Sequence, residues 1–176
     1  MQKIVLFLIL VPSLSFSQSQ SEVEVFTKII EYAVNKGENQ LYFQCTKARI
    51  TFMPAIFNER SPLKVPQHVL KELEKNARSS QSSVWNLKSL DQTFESGYFI
   101  DKNCLTKEDV QDLTENTEKQ FTILSISNLA FDDPEENCIV SVRFIKSAIY
   151  QYGYTFFLKK VYGVWTIIDK YDYWMT

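Results

Sequence analysis

Four β-type segments in the last third of the chain restrict its fold more than any other feature. Residues 121–131, 138–150, 152–160 and 164–174 are rich in Ile, Val, Phe, Tyr, Trp and Thr, which fit a pleated and half-buried surface. Short connections separate these segments, and strands joined by short connections are usually antiparallel neighbours. The segments therefore predict an antiparallel meander of at least four strands.

Three helices are predicted upstream of the meander, and the last of them starts at Thr106, with Asp109 three residues on. Ser21 and Glu24 have capping-box spacing, and apolar residues then recur at helical intervals until Gly37, where a helix C-terminus is expected. A second amphipathic stripe follows Pro66, a residue type favoured in the first helical turn. The segment 41–52 between these helices is rich in aromatic and β-branched residues and predicts a strand.

The order of these elements indicates the fold class. Helices followed by a run of strands are typical of α+β proteins. We predict that the N-terminal helices pack on one face of a curved, antiparallel C-terminal sheet. The Ser-rich segment 78–83 is interpreted as an internal loop, because the chain before it is too short to be stable alone. Residues 18–176 then form a single domain.

Residues 1–17 have the pattern of a cleaved secretory signal, with Lys3 ahead of a short apolar run and with Ser15 and Ser17 at the cleavage site. That run is too short to cross a bilayer, so we expect an exported protein, periplasmic or extracellular, with no stable membrane anchor. Loss of Lys3 changes the formal net charge from −2 to about −3, a balance that gives no electrostatic footprint for nucleic acid.

Three cysteines, Cys45, Cys104 and Cys138, remain in a chain that enters an oxidising compartment. One disulfide and one free thiol are expected, with all three pairings open. Metal ligation is disfavoured, because the chain has no CxxC motif and His68 is far from every cysteine in sequence. We predict neither a metal site nor a cofactor.

Three further patterns have structural interpretations. The segment 101–112 matches an EF-hand at several positions, but Leu105 and Thr106 replace a ligand and the turn glycine, and helix capping by Thr106 explains the pattern better. Four carboxylates in the loop 132–136 favour a solvated turn over a cation site. His68, the only imidazole, is predicted on the polar side of the second helix, as a surface residue rather than a catalytic base.

The last hairpin carries the candidate binding residues. A tight turn at Tyr162-Gly163 pairs Leu158 with Ile167, and the same register continues toward the chain end with the pairs Phe156–Asp169, Tyr154–Tyr171 and Tyr152–Tyr173. A three-residue loop with a bulge at Gly163 would shift this register.

Two interpretations of this aromatic face are open. The rings either fill a core between sheet and helix or line a cavity for a small amphipathic or aromatic ligand. The candidate ligand-binding residues are Tyr152, Tyr154, Tyr171 and Tyr173. Asp169 interrupts the same face, and a desolvated carboxyl group there would have a raised pKa and could act as a proton-transfer base.

The C-terminal pattern of Gly153, Leu158-Lys159, Gly163, Trp165 and Trp174 resembles the ending of many small exported bacterial proteins of unknown function. It is also similar to the last hairpin of NTF2-like and cystatin-like α+β domains. That resemblance implies a cone-shaped sheet around a helix, with a pocket. Such folds include enzymes, binding modules and proteins without a known ligand, so the fold alone does not decide the function.

Two main hypotheses follow. The first is an exported, non-enzymatic protein that binds a small molecule or a protein partner through its sheet. The second is a small NTF2-like lyase, isomerase or hydrolase that uses a cavity carboxylate. An enzyme of this kind needs Asp169 inside a pocket open to a small molecule, whereas a binding module can leave it exposed or paired. Protein contact through the acidic 132–136 loop is a third interpretation.

Overall fold

The structure is a computed structural model that describes residues 19–38, 40–90, 97–101, 103–116 and 120–176. The predicted signal at 1–17 lies outside these residues. The helices in the described chain are α1 (Gln20–Asn35), α2 (Pro54–Arg60), α3 (Gln67–Ser79) and α4 (Lys107–Asn116). The strands are β1 (Leu41–Phe43), β2 (Thr46–Lys47), β3 (Ser83–Val84), β4 (Thr122–Ile126), β5 (Ala130–Phe131), β6 (Asn137–Ile145), β7 (Gln151–Val161) and β8 (Val164–Met175).

The predicted α+β class and the meander are confirmed. The main sheet has the order β1-β4-β6-β7-β8, with β5 paired to β6. The pairs β4–β6, β6–β7 and β7–β8 are antiparallel, whereas β1 adds in parallel beside β4. The sheet is therefore mixed. The strand predicted over 41–52 was too long, because only β1 joins this sheet and β2 pairs separately with β3.

Helices cover both faces of the sheet, so the prediction of one covered face was wrong. Val140 and Phe156 pack in a core that includes Phe26 of α1. Their sequence neighbours Ile139 and Phe157 point the other way, into a core with α2 and α3. Further along that second face, Ile123 and Ile145 are packed against residues of α4. Alternation along each strand thus buries both sides of the sheet.

Side-chain caps fix the starts of α1 and α4, whereas α2 and α3 begin without one. The hydroxyl of Ser19, rather than the predicted Ser21, caps α1 by accepting a bond from the Glu22 amide at 3.2 Å. Pro66 is the residue before α3 rather than its first residue. The cap at Thr106 is confirmed: its hydroxyl accepts a bond from the Asp109 amide at 3.2 Å, and its own amide donates to the Asp109 carboxylate at 2.8 Å.

The register predicted for the last hairpin was correct only near its turn. The predicted pair Leu158–Ile167 is confirmed, and Val161 pairs with Val164, so the turn at Tyr162-Gly163 is a two-residue loop. Two irregularities in β8 then shift the register, so that Thr155 opposes Tyr171 and Gly153 opposes Trp174. The predicted pairs Phe156–Asp169, Tyr154–Tyr171 and Tyr152–Tyr173 were therefore wrong. Each shift moves the following side chains of β8 to the opposite face.

One disulfide links Cys45 to Cys104, and Cys138 is a free, buried thiol. This confirms the expectation of one disulfide and one free thiol. The bridge fastens the segment after β1 to the chain before α4, where the Leu105 amide also donates to the Phe43 carbonyl at 2.6 Å. Burial raises the pKa of the Cys138 thiol well above its ordinary value. Within the described residues, no helix has the length and apolar character needed to cross a membrane.

Candidate functional site

An open cleft of about 960 Å³ lies on the α1 side of the sheet, beside the C-terminal end of that helix. We call it the tyrosine cleft, because five of its lining residues are tyrosines: Tyr32, Tyr150, Tyr152, Tyr154 and Tyr173. The other walls come from the segment after α1, the start of β4 and the turn between β6 and β7.

Strand geometry brings these rings together. Tyr152 and Tyr154 are two positions apart on β7 and therefore point to the same face. Tyr152 pairs with Phe144 of β6, and the two rings are stacked, with centroids 4.8 Å apart and planes 4° from parallel. Tyr154 lies 5.1 Å from Tyr173 and 6.5 Å from Tyr32 between ring centroids. The cleft wall is thus a continuous aromatic surface.

A helix-ending motif places a carboxylate at the base of this wall. Gly37 has φ of 88°, and its amide donates to the Val34 carbonyl while the Glu38 amide donates to the Ala33 carbonyl. These bonds form a Schellman motif, in which glycine takes the left-handed conformation and the following residue folds back against the helix. That following position usually carries an apolar residue, and here it is Glu38, only 8 % exposed.

Three side chains hold the Glu38 carboxylate. Tyr152 donates its hydroxyl proton to Oε1 at 2.7 Å, Thr122 donates to Oε2 at 2.5 Å, and the Lys146 ammonium group pairs with Oε2. Burial by itself would raise the pKa of Glu38, but the bonds from Lys146, Thr122 and Tyr152 outweigh it and leave the pKa below the ordinary value. The carboxylate is therefore ionised at neutral pH and has most of its acceptor capacity in use.

Two further cations border the cleft. The Lys170 ammonium donates to the Tyr32 hydroxyl at 3.2 Å and lies 4.9 Å from the centre of the Tyr154 ring. The Lys36 ammonium lies 5.8 Å from the centre of the Tyr32 ring. The bond to Tyr32 is the main reason that the pKa of Lys170 is raised. The Lys170 side chain therefore stays charged at neutral pH.

The structure separates the predicted site residues into two groups. Tyr152, Tyr154 and Tyr173 share the cleft, whereas Tyr171 lies on the opposite face with its ring centroid 5.1 Å from that of Phe57 in α2. Burial raises the pKa of Tyr171. The first register shift in β8 is the cause, since it turns Tyr171 away from the cleft, and the second shift returns Tyr173 to it.

Asp169 also lies outside the cleft. The first register shift places it opposite Phe157, on the face covered by α2, where its carboxylate accepts a bond from the Ser61 hydroxyl at 2.5 Å. The cleft carboxylate is Glu38, which the sequence interpretation missed together with Lys146 and Tyr32. The signal available in the sequence was an acidic residue directly after Gly37, at a helix end where an apolar residue is usual.

The remaining acidic patterns have structural roles. A shallower groove of about 550 Å³ is bordered by Asp101 and Asp112, beside the Thr106 cap. Asp132 is buried rather than solvated as predicted for its loop, and its carboxylate accepts bonds from the Glu136 and Asn137 amides at 2.8 Å each. His68 is exposed on α3, as predicted. Across the described ranges, no three His, Cys, Asp or Glu side chains are grouped to hold a metal ion.

Comparison of the chain with protein-family models, with curated proteins and with solved structures gave no match. The likeness to NTF2-like and cystatin-like domains therefore stays a prediction. The function of the protein is therefore inferred from the residues of the tyrosine cleft.

Proposed function

We propose that the mature chain is an exported, non-enzymatic protein that binds a small, ring-bearing molecule in the tyrosine cleft. The observation that carries this proposal is the aromatic wall built from Tyr152, Tyr154, Tyr173 and the stacked Phe144. Small-molecule sites are typically concave, with aromatic walls and a few placed polar groups. Export depends on the 1–17 pattern, and fractionation of cells that express the full chain tests it.

The exposure of the rings supports binding over simple core packing. Tyr173 is 54 % exposed although its ring contacts Tyr154, and Tyr150 at the rim is 45 % exposed. Within the described part of the chain, no hydrogen bond engages the Tyr154 hydroxyl. A flat ligand would cover ring faces that water now contacts and would give this hydroxyl a partner.

The state of Glu38 favours binding over proton transfer. A general base needs a free lone pair and a pKa near the working pH, whereas Glu38 accepts three bonds and has a lowered pKa. It therefore acts to fix the positions of Lys146 and Tyr152. Asp169, the base of the competing enzyme hypothesis, accepts a hydrogen bond from Ser61 on the opposite face of the sheet.

Fluorescence titration with N-phenyl-1-naphthylamine, a neutral aromatic probe, tests the proposal. The wild-type protein is expected to bind the probe with a saturable 1:1 stoichiometry. The double variant Tyr154→Ser/Tyr173→Ser removes two adjacent cleft rings and is expected to lower the affinity by about 10-fold or more, on the scale of two lost ring contacts. Tyr162→Ser removes a fully exposed ring at the hairpin tip and is expected to have no effect.

Asp169→Asn is a second control, because this change lies outside the cleft and is expected to leave probe affinity unchanged. Unchanged affinity in a folded Tyr154→Ser/Tyr173→Ser variant would contradict the proposal. A loss of affinity in Asp169→Asn equal to that of the double variant would instead move the binding site to the α2 face.

A further inference from the structure

The charge around the tyrosine cleft is opposite in sign to that of the whole chain. The chain has a formal net charge of −2. Among the described residues that line the cleft, Glu38 is the one carboxylate, and Lys36 and Lys146 are the cations. Lys170 adds a third ammonium group through its contacts with Tyr32 and Tyr154. The cleft is a local positive region on an acidic protein.

Pairing within the cleft leaves two of these charges uncompensated. The Glu38 carboxylate is neutralised by Lys146, and both groups are largely shielded, with side chains 10 % and 30 % exposed. Lys36 and Lys170 form no ion pair with any carboxylate of the described residues. Both ammonium groups lie about 6 Å or less from the centre of the Tyr32 ring.

The charged hydrogen-bonding groups of the cleft have the same bias. The ammonium groups of Lys36, Lys146 and Lys170 can only donate, and the hydroxyl of Tyr32 accepts from Lys170 and so keeps its own proton free to donate. The Glu38 oxygens, which would receive a cationic or donor group of a ligand, are already engaged by Thr122, Lys146 and Tyr152. Among its charged groups, the cleft therefore offers the donors of Lys36 and Lys170, whereas the Glu38 acceptor is already in use.

We infer that the ligand of the tyrosine cleft is a small organic anion, in which an aromatic or other flat body lies on Tyr152 and Tyr154 and a carboxylate-like or sulfonate-like group lies between Lys36 and Lys170. This inference rests on the proposed function and adds the charge class of the ligand. Glu38 and Lys146 form the fixed base of the site, and Lys36 and Lys170 distinguish anions from neutral molecules of equal shape.

Two probes that share one aromatic body separate charge recognition from ring recognition. 8-Anilinonaphthalene-1-sulfonate is N-phenyl-1-naphthylamine with an added sulfonate group. The wild-type protein is expected to bind the sulfonate roughly 3- to 10-fold more tightly than the neutral parent, on the scale of two partly exposed charge contacts. Raising NaCl from about 0.05 to about 0.5 M is expected to remove most of that difference by screening.

Matched charge variants locate the effect. Lys36→Gln/Lys170→Gln is expected to weaken binding of the sulfonate roughly 3- to 10-fold more than it weakens binding of the neutral probe. Lys71→Gln/Lys75→Gln removes the same charge from exposed positions on α3 and is expected to change neither affinity. All four lysines are exposed, so both variants are expected to fold.

Each outcome decides at least one of the two proposals. Equal wild-type affinity for the two probes would overturn the anion inference while leaving the ring-binding function standing. An equal loss of affinity for both probes in Lys36→Gln/Lys170→Gln would also overturn it. The lysines would then support the aromatic wall rather than distinguish an anion from a neutral molecule. If Tyr154→Ser/Tyr173→Ser leaves both affinities unchanged, the cleft is not the binding site and both proposals fail.

Discussion

The hydroxyl of Tyr152 donates a hydrogen bond of 2.7 Å to Oε1 of Glu38, and the two residues are 114 positions apart in sequence. The bond connects the end of α1 to β7 at the base of the tyrosine cleft. Because Glu38 is nearly buried and ionised, the loss of one donor leaves charge less well solvated.

Tyr152→Phe is the variant that isolates this bond, because it keeps the ring stacked on Phe144. We expect the free energy of unfolding to fall by about 1–2 kcal/mol, measured by urea denaturation. Tyr162→Phe, which removes a hydroxyl from a fully exposed ring, is expected to unfold like the wild type. The bond contributes nothing if the two variants have the same stability.

Low pH is expected to reduce the free energy of unfolding, in part through protonation of Glu38. The folded-state pKa of Glu38 lies below its ordinary value of 4.5, so between these two values the unfolded chain binds more protons than the folded one. The resulting stabilisation is complete above the unfolded-state pKa and is lost as the pH falls through the folded-state value. The stability difference between wild type and Glu38→Gln should therefore be constant above about pH 5.5 and shrink below about pH 4.5. A difference that grows on acidification would contradict this assignment.

Gly153 lies where β7 passes close to the indole of Trp174. A Cβ atom at position 153 would lie 2.7 Å from the Trp174 ring, closer than van der Waals contact permits. Gly153→Ala is therefore expected to reduce the free energy of unfolding by about 1–3 kcal/mol. In the double variant Gly153→Ala/Trp174→Ala the ring is absent, so the effect of the added methyl group should largely disappear. Simple additivity of the two single changes would show that this contact does not cause the effect.

The disulfide between Cys45 and Cys104 closes a loop with a sequence separation of 59. Chain-entropy reasoning predicts that Cys45→Ser/Cys104→Ser loses roughly 4 kcal/mol of stability, measured by urea denaturation under oxidising conditions.

Cys138 is buried, so its thiol should react with a thiol reagent only after the protein unfolds. Rapid reaction of Cys138 in the native protein would mean that the core between α1 and the sheet opens readily.

Periodic features of the sequence predicted the sheet well. The meander followed from four apolar and aromatic segments with short connections, and the Tyr162-Gly163 turn followed from local backbone preferences. The helix α2 was missed, because its seven residues bury a single side chain, Phe57, and so show no apolar period. The parallel pairing of β1 with β4 was missed because it joins segments that are distant in the chain.

The composition of the site was only partly predictable, for a different reason. An alternating pattern identifies a shared face only while the register is constant, and the two irregularities in β8 depend on tertiary packing. One of them coincides with a left-handed Asp172, whose φ is 56°, a conformation that Asp tolerates better than most residues. Tyr171 and Asp169 were thus assigned to the wrong face. Glu38 was missed because its burial depends on partners from three strand ends far along the chain.

A chemical-shift titration with 8-anilinonaphthalene-1-sulfonate shows where on the protein a ring-bearing molecule binds. We expect saturable changes that are largest at the backbone amides of Glu38, Lys146 and Tyr152, with little change at Phe57 and Tyr171 on the opposite face. Changes centred on Phe57 and Tyr171, or confined to the exposed hairpin tip at Tyr162, would contradict binding in the tyrosine cleft.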